Sequence, residues 1–528
     1  MHKNNYINFA GLALLFGLLF SACSEDFLDR PVKDALTEDT FFSSREDLRA
    51  ATAPLYTQVW FSFNGTANFA LGEALGGNVF AYNNNSNFVE FRHNDNSADL
   101  REAWQAFYRV IAQSNHVINN IHKHGGQVAE TDRNAAVAEA RFMRGVAYLY
   151  LVKLWGPVIL SEDQVELAAD AKRAPHKVED VYTFILRDLL FASEHLPESD
   201  DPGRLTTWAA QGMLARVYLS RAGLNGEGSR NEDDLAQARF YAERVIKDSG
   251  LELYPDYDQL FYLSANNNAE SLFALQWFPT TTWGSTNTVQ AYLAPDARIT
   301  GVGDGWGQGT FPSHHLISEF LSDPKDSLRR KASIMIDQSH YPQLLRKEGG
   351  YTYQGSTGGW KKYIIGSPDD NDGQVAFMSA PINTYMLRLA EVYLIYADAI
   401  RGNQERTSDT EALHYFNAVR LRAGVDPVSE IDQASMLREL RLELAGESQF
   451  WYYLVNWFYY QPDQALAYIN AQHRGELYSY KSGFGFEWMA PASVPVVATA
   501  ADMTMPYPES EVQQNPLLNE APVSYIFE

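Results

Sequence analysis

The chain has 528 residues, 45% of them hydrophobic, which is length and apolar content enough for a large buried core and excludes a disordered chain. Its 42 basic residues stand against 66 acidic ones, and the net charge of −24 opposes nucleic acid or anionic lipid as the main partner while fitting a neutral ligand. One cysteine, Cys23, excludes an internal disulfide and a cysteine-based zinc site.

At the N-terminal end, Lys3 precedes an apolar stretch that starts near Phe9 and closes on Leu19-Phe20-Ser21-Ala22-Cys23. The stretch is too short to span a bilayer, and small residues stand before the cysteine, which is the layout of a bacterial lipoprotein signal. Residues 1–22 are therefore expected to be a signal peptide and Cys23 the lipidated first residue of the mature chain, held on a membrane surface by acyl chains without threading it. The plainer alternative is a buried cysteine after a cleaved secretory signal. Ser24-Glu25-Asp26 resembles the surface-export signal of Bacteroidetes lipoproteins, and residues 23–42 read as a lipidated tether.

Helical periodicity begins at Ser43, where Ser44-Arg45-Glu46-Asp47 opens a run carrying Leu48, Ala51, Leu55 and Val59. It opens an N-terminal helical-repeat part over residues 43–254. Residues 64–96, with Gly72, Gly76, Gly77 and many asparagines, interrupt it and read as a long surface loop. A small residue stands three positions before a tyrosine in Gly145/Tyr148, Ala215/Tyr218 and Ala390/Tyr393, and the third run is read as helical from Tyr385. Each is followed by a second helical pattern, over residues 178–195, 234–249 and 408–422. The spacing predicts a mainly α chain of tetratricopeptide-like stacked helix pairs, although any antiparallel helix pair can carry this pattern. A loop-rich part fills residues 255–380, and a C-terminal helical-repeat part with a tail fills residues 381–528.

Several runs are similar to the SusD/RagB-like proteins, a family of Bacteroidetes outer-membrane nutrient-binding lipoproteins. Glu139-Ala-Arg-Phe-Met-Arg-Gly-Val-Ala-Tyr148 leading into Leu151-Val-Lys-Leu-Trp-Gly156 resembles that family's hallmark helix and its exit. Arg204-Leu-Thr-Thr-Trp-Ala-Ala-Gln211, Asn268-Ala-Glu-Ser-Leu-Phe273, Asn417-Ala-Val-Arg-Leu-Arg-Ala-Gly424 and Pro506-Tyr-Pro-Glu-Ser-Glu511 resemble later stretches. Phe450 and Tyr453 depart from the pattern, which has arginine at the first position and aspartate near the second, and so put a local ion pair in doubt. The resemblance implies a surface glycan-binding lipoprotein that delivers oligo- or polysaccharide to a SusC-like TonB-dependent transporter, with helices as scaffold and loops as the ligand site.

Neutral sugars need aromatic faces for their C–H surfaces and amide or carboxylate partners for their hydroxyls. In the central loops Trp277, Trp283 and Tyr292 stand among Thr, Asn and Gly, and Asp304 and Trp306 lie in Gly303-Asp-Gly-Trp-Gly-Gln-Gly309. The early loop offers Phe80, Tyr82, Asn83, Asn85 and Phe88, and Trp360 follows Gly358-Gly359. The opposite expectation for Trp306 is a ring tucked under its own glycine loop. Trp60, Trp104, Trp155 and Trp208 fall in helical patterns and are expected in the core. Lys361-Lys362 is a basic pair able to turn the preference toward an anionic glycan.

No catalytic constellation is singled out. Glu139, Glu391 and Glu443 read as partners of scaffold arginines, His314-His315 are consecutive and share no metal-facing side, and Asp369–Gly373 lacks acidic ligands at the outer positions of a calcium loop. No nucleotide-binding run occurs, and no cofactor is expected. A surface glycan hydrolase, or a repeat scaffold that binds peptide nutrients, remains open beside the glycan-binding reading.

Overall fold

The computed structural model describes residues 41–82, 85–169, 171–490 and 495–527; the signal, Cys23 and Asn83 lie outside the described residues. Helix α1 (Arg45–Thr52) starts at a capping box, in which the Ser44 hydroxyl accepts the Asp47 N–H and the Asp47 carboxylate accepts the Ser44 N–H. It is shorter than its apolar spacing suggests. Pro54 has no N–H to continue the ladder, and the chain tightens into 3₁₀ turns at Ala53–Tyr56 and Gln58–Trp60, with Leu55 and Val59 still buried.

The segment expected as a surface loop over 64–96 is instead structural in its first half. It holds two π-helical turns, Phe63–Ala67 and Ala70–Ala74, strand β1 (Val79–Ala81) and a short helix, Ser86–Val89. From Phe63 to Ala81 only Gly65 and Thr66 are more than marginally exposed. Its glycines serve close approach, since a Cβ on Gly72 would collide with Ser448.

The scaffold is a continuous stack. Helices α2 (Ala98–His124), α3 (Glu130–Trp155), α4 (Val178–His195), α5 (Thr207–Ala222) and α6 (Glu232–Asp248) each pack on the next. The chain then leaves through β2 (Ser271–Leu275), passes β3 (Thr310–Pro312) and α7 (His314–Leu321), and returns through β4 (Thr384–Arg388) into α8 (Leu389–Arg401). Helix α8 packs directly on α6, and α9 (Thr410–Arg422) on α8, so the stack runs on across the insertion. Gly145 lets α3 approach α4, where an added Cβ would lie 3.4 Å from Leu189 Cγ. Trp60, Trp104, Trp155 and Trp208 are all buried, as their periodicity predicts.

Tyr385–Arg388 is strand rather than helix. It is buried on both faces, and a short run of that kind carries no period to separate the two states. β4 pairs antiparallel with β2, closing the insertion at its base, and β1 pairs antiparallel with β3, joining the π-helical segment to the insertion. The chain continues through α10 (Gln433–Leu444) and α11 (Phe450–Tyr460) to a hairpin, β5 (Leu477–Lys481) and β6 (Gly485–Ala490). The tail returns to α3, where the Trp155 indole donates to the Pro506 carbonyl at 2.9 Å. No helix among the described residues is long and apolar enough to cross a membrane.

Buried charge pins these parts together. Arg388, at the end of β4, donates to Glu270 at 2.7 Å, to Glu443 at 2.6 Å and to Glu447 at 2.8 Å. Arg422 also bonds Glu270 and Glu443; Arg329 bonds Asp326, Glu439 and Glu443; Lys362 bonds Glu447, and Arg420 bonds Glu439. These five cations face these five carboxylates, so the cluster is neutral as a whole. Glu139 and Glu391 are likewise scaffold partners, of Arg204 and Arg216. The two departures from the family pattern are accommodated here. Phe450 lies under the Arg441 guanidinium at 5.3 Å, and the Tyr453 hydroxyl donates to Glu391 at 2.5 Å.

Burial opposes ionisation of Glu443, but Arg422, Arg388 and Arg329 hold it well below the usual carboxylate range. Burial likewise opposes ionisation of Asp398, which Arg230 and Arg401 bring down to about 2. A carboxyl that is more acidic folded than unfolded stabilises the fold above its unfolded value and loses that contribution as pH falls through the folded one. Equilibrium unfolding followed against pH will therefore show stability supplied by Asp398 present above about pH 4 and lost as the pH falls to about 2. Glu443→Ala leaves buried guanidiniums uncompensated and will lower unfolding free energy by about 3–5 kcal/mol in urea titrations.

Candidate functional site

Trp306 is carried on a loop whose backbone is pressed against the helical turn Val289–Leu293. Its N–H donates to the Ala291 carbonyl at 2.8 Å, and the Gly307 N–H to the Ala294 carbonyl at 2.9 Å. Two glycines make this possible. Gly305 has φ of +110° and would place a Cβ 2.9 Å from Ala297 Cα, while a Cβ on Gly307 would collide with the Leu293 carbonyl. The loop backbone is thereby used for packing, and Trp306 is left 47% exposed, tilted against Tyr292 and edge-on to Phe377 at centroid distances of 5.8 and 5.9 Å.

Trp283 is 63% exposed and stands on edge against Phe61 at 4.8 Å, which in turn meets the buried Trp277 at 6.5 Å. The Gln58 amide holds the turn by donating to the Ser285 hydroxyl. One turn, residues 376–379, connects both tryptophan loops. The Ser379 hydroxyl donates to the Thr280 carbonyl at 2.7 Å, and the Met378 N–H donates to the Asp304 carboxylate at 2.6 Å. Tyr82 joins from the scaffold side: its N–H donates to the Gly309 carbonyl at 3.0 Å and its ring, largely exposed, rests on Phe80 and Phe311. The result is a series of exposed aromatic faces on mutually bonded loops.

Next to Trp306 lies a cavity of about 210 Å³. Tyr292 and Trp306 form part of its wall, Asn64, Asn68 and Asn85 supply amides, and Glu447 and Ser448 also line it. Asn64 lies in the first π-helical turn and Asn68 directly after it, before the second, and such turns are rare and recur at functional sites. Glu73, in the second π turn, accepts the Gly446 N–H at 3.0 Å and the Ser448 N–H at 2.6 Å, fixing that part of the wall. Burial raises the Tyr292 hydroxyl above its ordinary pKa, and nearby Glu102 and Asp99 add to this, so it stays a neutral donor.

Of the residues expected at the site, Trp283, Trp306, Tyr292 and Tyr82 are exposed or half-exposed on these joined loops, and Asn85 lines the cavity. Others do not serve as surface contacts. Phe88 is 1% exposed and stacks on His93; Trp360 is 1% exposed and stands edge-on to Phe69; Phe80 and Trp277 are also buried. Asp304 is buried and one of its oxygens accepts the Met378 N–H, so it positions the loop. Lys361 and Lys362 form no exposed basic pocket, since Lys361 donates to the Ile364 carbonyl and Lys362 to Glu447 and the Tyr257 hydroxyl. Asp370 of the acidic turn accepts the Leu345, Arg346 and Ser367 N–H groups. Phe377, Asn64 and Asn68 are members that sequence reasoning missed; only the nearness of Asn64-Gly65-Thr66 to Phe61, Phe63 and Phe69 signals the latter two.

Comparison with known proteins bears on this geometry. Residues 26–219 match the family profile described as starch-binding and associating with the outer membrane, and residues 269–523 match that of the SusD family. A SusD-like protein of Bacteroides ovatus is 41% identical over 97% of each chain. A crystal structure described as containing xylogluco-oligosaccharide is 41% identical, with a TM-score of 0.86 over 91% of this chain and 99% of the other. A SusD superfamily protein of Parabacteroides distasonis shares the fold at 22% identity, with a TM-score of 0.70 over 92% of this chain and 99% of that one. With stacked helix pairs as scaffold and aromatic loops raised above them, the chain belongs to the SusD-like family.

Proposed function

We propose that the chain captures a neutral oligo- or polysaccharide on Trp283 and Trp306, with Tyr82, Tyr292 and Phe377 beside them. The observation that carries this reading is that both tryptophans stay exposed on loops bonded to one turn, in a chain 41% identical to a protein crystallised with xylogluco-oligosaccharide. Rings fixed before binding give a sugar chain its apolar faces at little ordering cost. Glu447 is matched by Arg388 and Lys362, while Asp99 is hydrogen-bonded to the neutral Thr66 and Asp304 to the Met378 N–H, so among the described residues the site offers no free cation to a polyanion, which favours a neutral glycan.

The same reading makes the protein a binder without turnover. Hydrolysis needs one carboxyl free to protonate the leaving oxygen and a second opposite it. Glu447, in the cavity wall, is committed to ion pairs, and Asp304, in the platform loop, is 2% exposed with one oxygen on the Met378 N–H, so neither is presented to a sugar. Lipid on Cys23 would hold the protein at the outer membrane, facing outward, and the captured glycan would pass to a SusC-like TonB-dependent transporter. The match to an outer-membrane-associated family supports that placement.

Affinity electrophoresis in xyloglucan, with the chain truncated after Cys23, will show retarded migration and no release of reducing ends. Trp283→Ala and Trp306→Ala will each weaken binding about tenfold or more, on the order of 1.4 kcal/mol per lost stacking face. Unchanged retardation in both variants excludes the platform, and release of reducing ends makes the protein a hydrolase.

A further inference from the structure

We propose that the cavity next to Trp306 is a subsite for one neutral sugar ring, carried as a branch on the glycan chain that stacks on the platform. The proposal rests on the glycan-binding reading above and names the ligand class more narrowly. Its starting point is Asn68, whose side chain lines the cavity, is 8% exposed, and has a buried Oδ1 without a hydrogen-bond partner. Asn64 adds a second such oxygen, although its Nδ2 is used on Asn287. Buried carbonyl oxygens left unpaired are costly and rare, and two on residues that line one cavity make its wall polar.

Size and charge narrow the occupant. Pockets for drug-sized ligands run to about 300–1,000 Å³, so the 210 Å³ here suits a single ring. Glu447 in the wall is already matched by Arg388 and Lys362, so no unmatched charge recruits an ion. Tyr292 and Trp306 offer aromatic surface to a C–H face on one side, and the asparagines offer polar groups on the other. Trp306 belongs to both the platform and the cavity wall, so a chain stacked on its exposed face holds its substituents at the mouth. A chain that continues across the platform cannot itself turn into a one-ring hole, but a pendant ring can.

The test is calorimetric titration of the chain truncated after Cys23 with two probes sharing a β-1,4-glucan backbone: a xylogluco-oligosaccharide bearing single-xylose branches and an unbranched cello-oligosaccharide of equal backbone length. The native protein is expected to bind the branched probe at least tenfold more tightly. Asn68→Leu should remove most of that difference by weakening the branched probe far more than the unbranched one, and Asn68→Asp, which keeps an acceptor oxygen, should retain the preference. Equal affinity for both probes in the native protein overturns the proposal. So does an Asn68→Leu variant that weakens both probes alike, as entry of a chain end would, or one that alters neither, as a cavity filled with water only would. Binding of neither probe by the native protein overturns the platform reading and the subsite with it, whereas unbranched binding that is lost in Trp306→Ala keeps the platform and isolates the subsite as the failing part.

Discussion

Arg388 is the point on which the architecture depends. It ends the strand that brings the insertion home, begins the helix that resumes the stack, and bonds three carboxylates from two other parts of the chain. Buried ion clusters contribute little net stability when complete and are strongly destabilising when one member is lost, so their effect here is to fix one arrangement. The arrangement reaches the ligand site through Glu447, which Arg388 and Lys362 hold in the cavity wall. Glu73 then ties the neighbouring turn to the π-helical segment, although burial raises its pKa and its bonds from Asn78, Ser448 and Gly446 only partly offset this. The scaffold's charge thus sets the shape of a cavity whose lining carboxylate, Glu447, is matched from behind.

The aromatic platform shows how irregular backbone is made rigid. Long loops ordinarily fluctuate, and the ordering of a mobile loop is paid out of binding energy. In this chain the 280s, the 303–309 loop and the 376–379 turn are hydrogen-bonded to one another and to the scaffold, with glycines allowing backbone to lie on backbone. Exposed rings are consequently presented by segments that have already lost their freedom.

The helical stack was legible in the sequence because small residues and tyrosines recur at helical spacing, and Gly145 does seat against Leu189. The exposed tryptophans were legible because Trp283 and Trp306 have neighbours too small or too polar to cover them. What failed has a common cause. Asn- and Gly-rich composition suggested a solvated loop at 64–96, but glycine also permits two backbones to touch, and Gly72 against Ser448 is such a contact between residues far apart in sequence. Trp360 and Phe88 were misread for the same reason, since the partners that bury them, Phe69 and His93, are identified by the fold and not by flanking residues. Tyr385–Arg388 was read as helix because a short run buried on both faces has no period to read. Asn68 gave no local signal, because a missing hydrogen bond exists only in three dimensions.

The pairing of β2 with β4 has an evolutionary consequence. The insertion leaves and re-enters the stack through two hydrogen-bonded neighbours, Leu275 beside Thr384, so its ends are already closed irrespective of what lies between them. Lengthening a closed loop adds only about 0.6 kcal/mol per doubling. A lineage can therefore exchange aromatic loops to suit a new polymer without re-threading a single scaffold helix, provided that each exchange preserves Arg388 and its carboxylates at the neck.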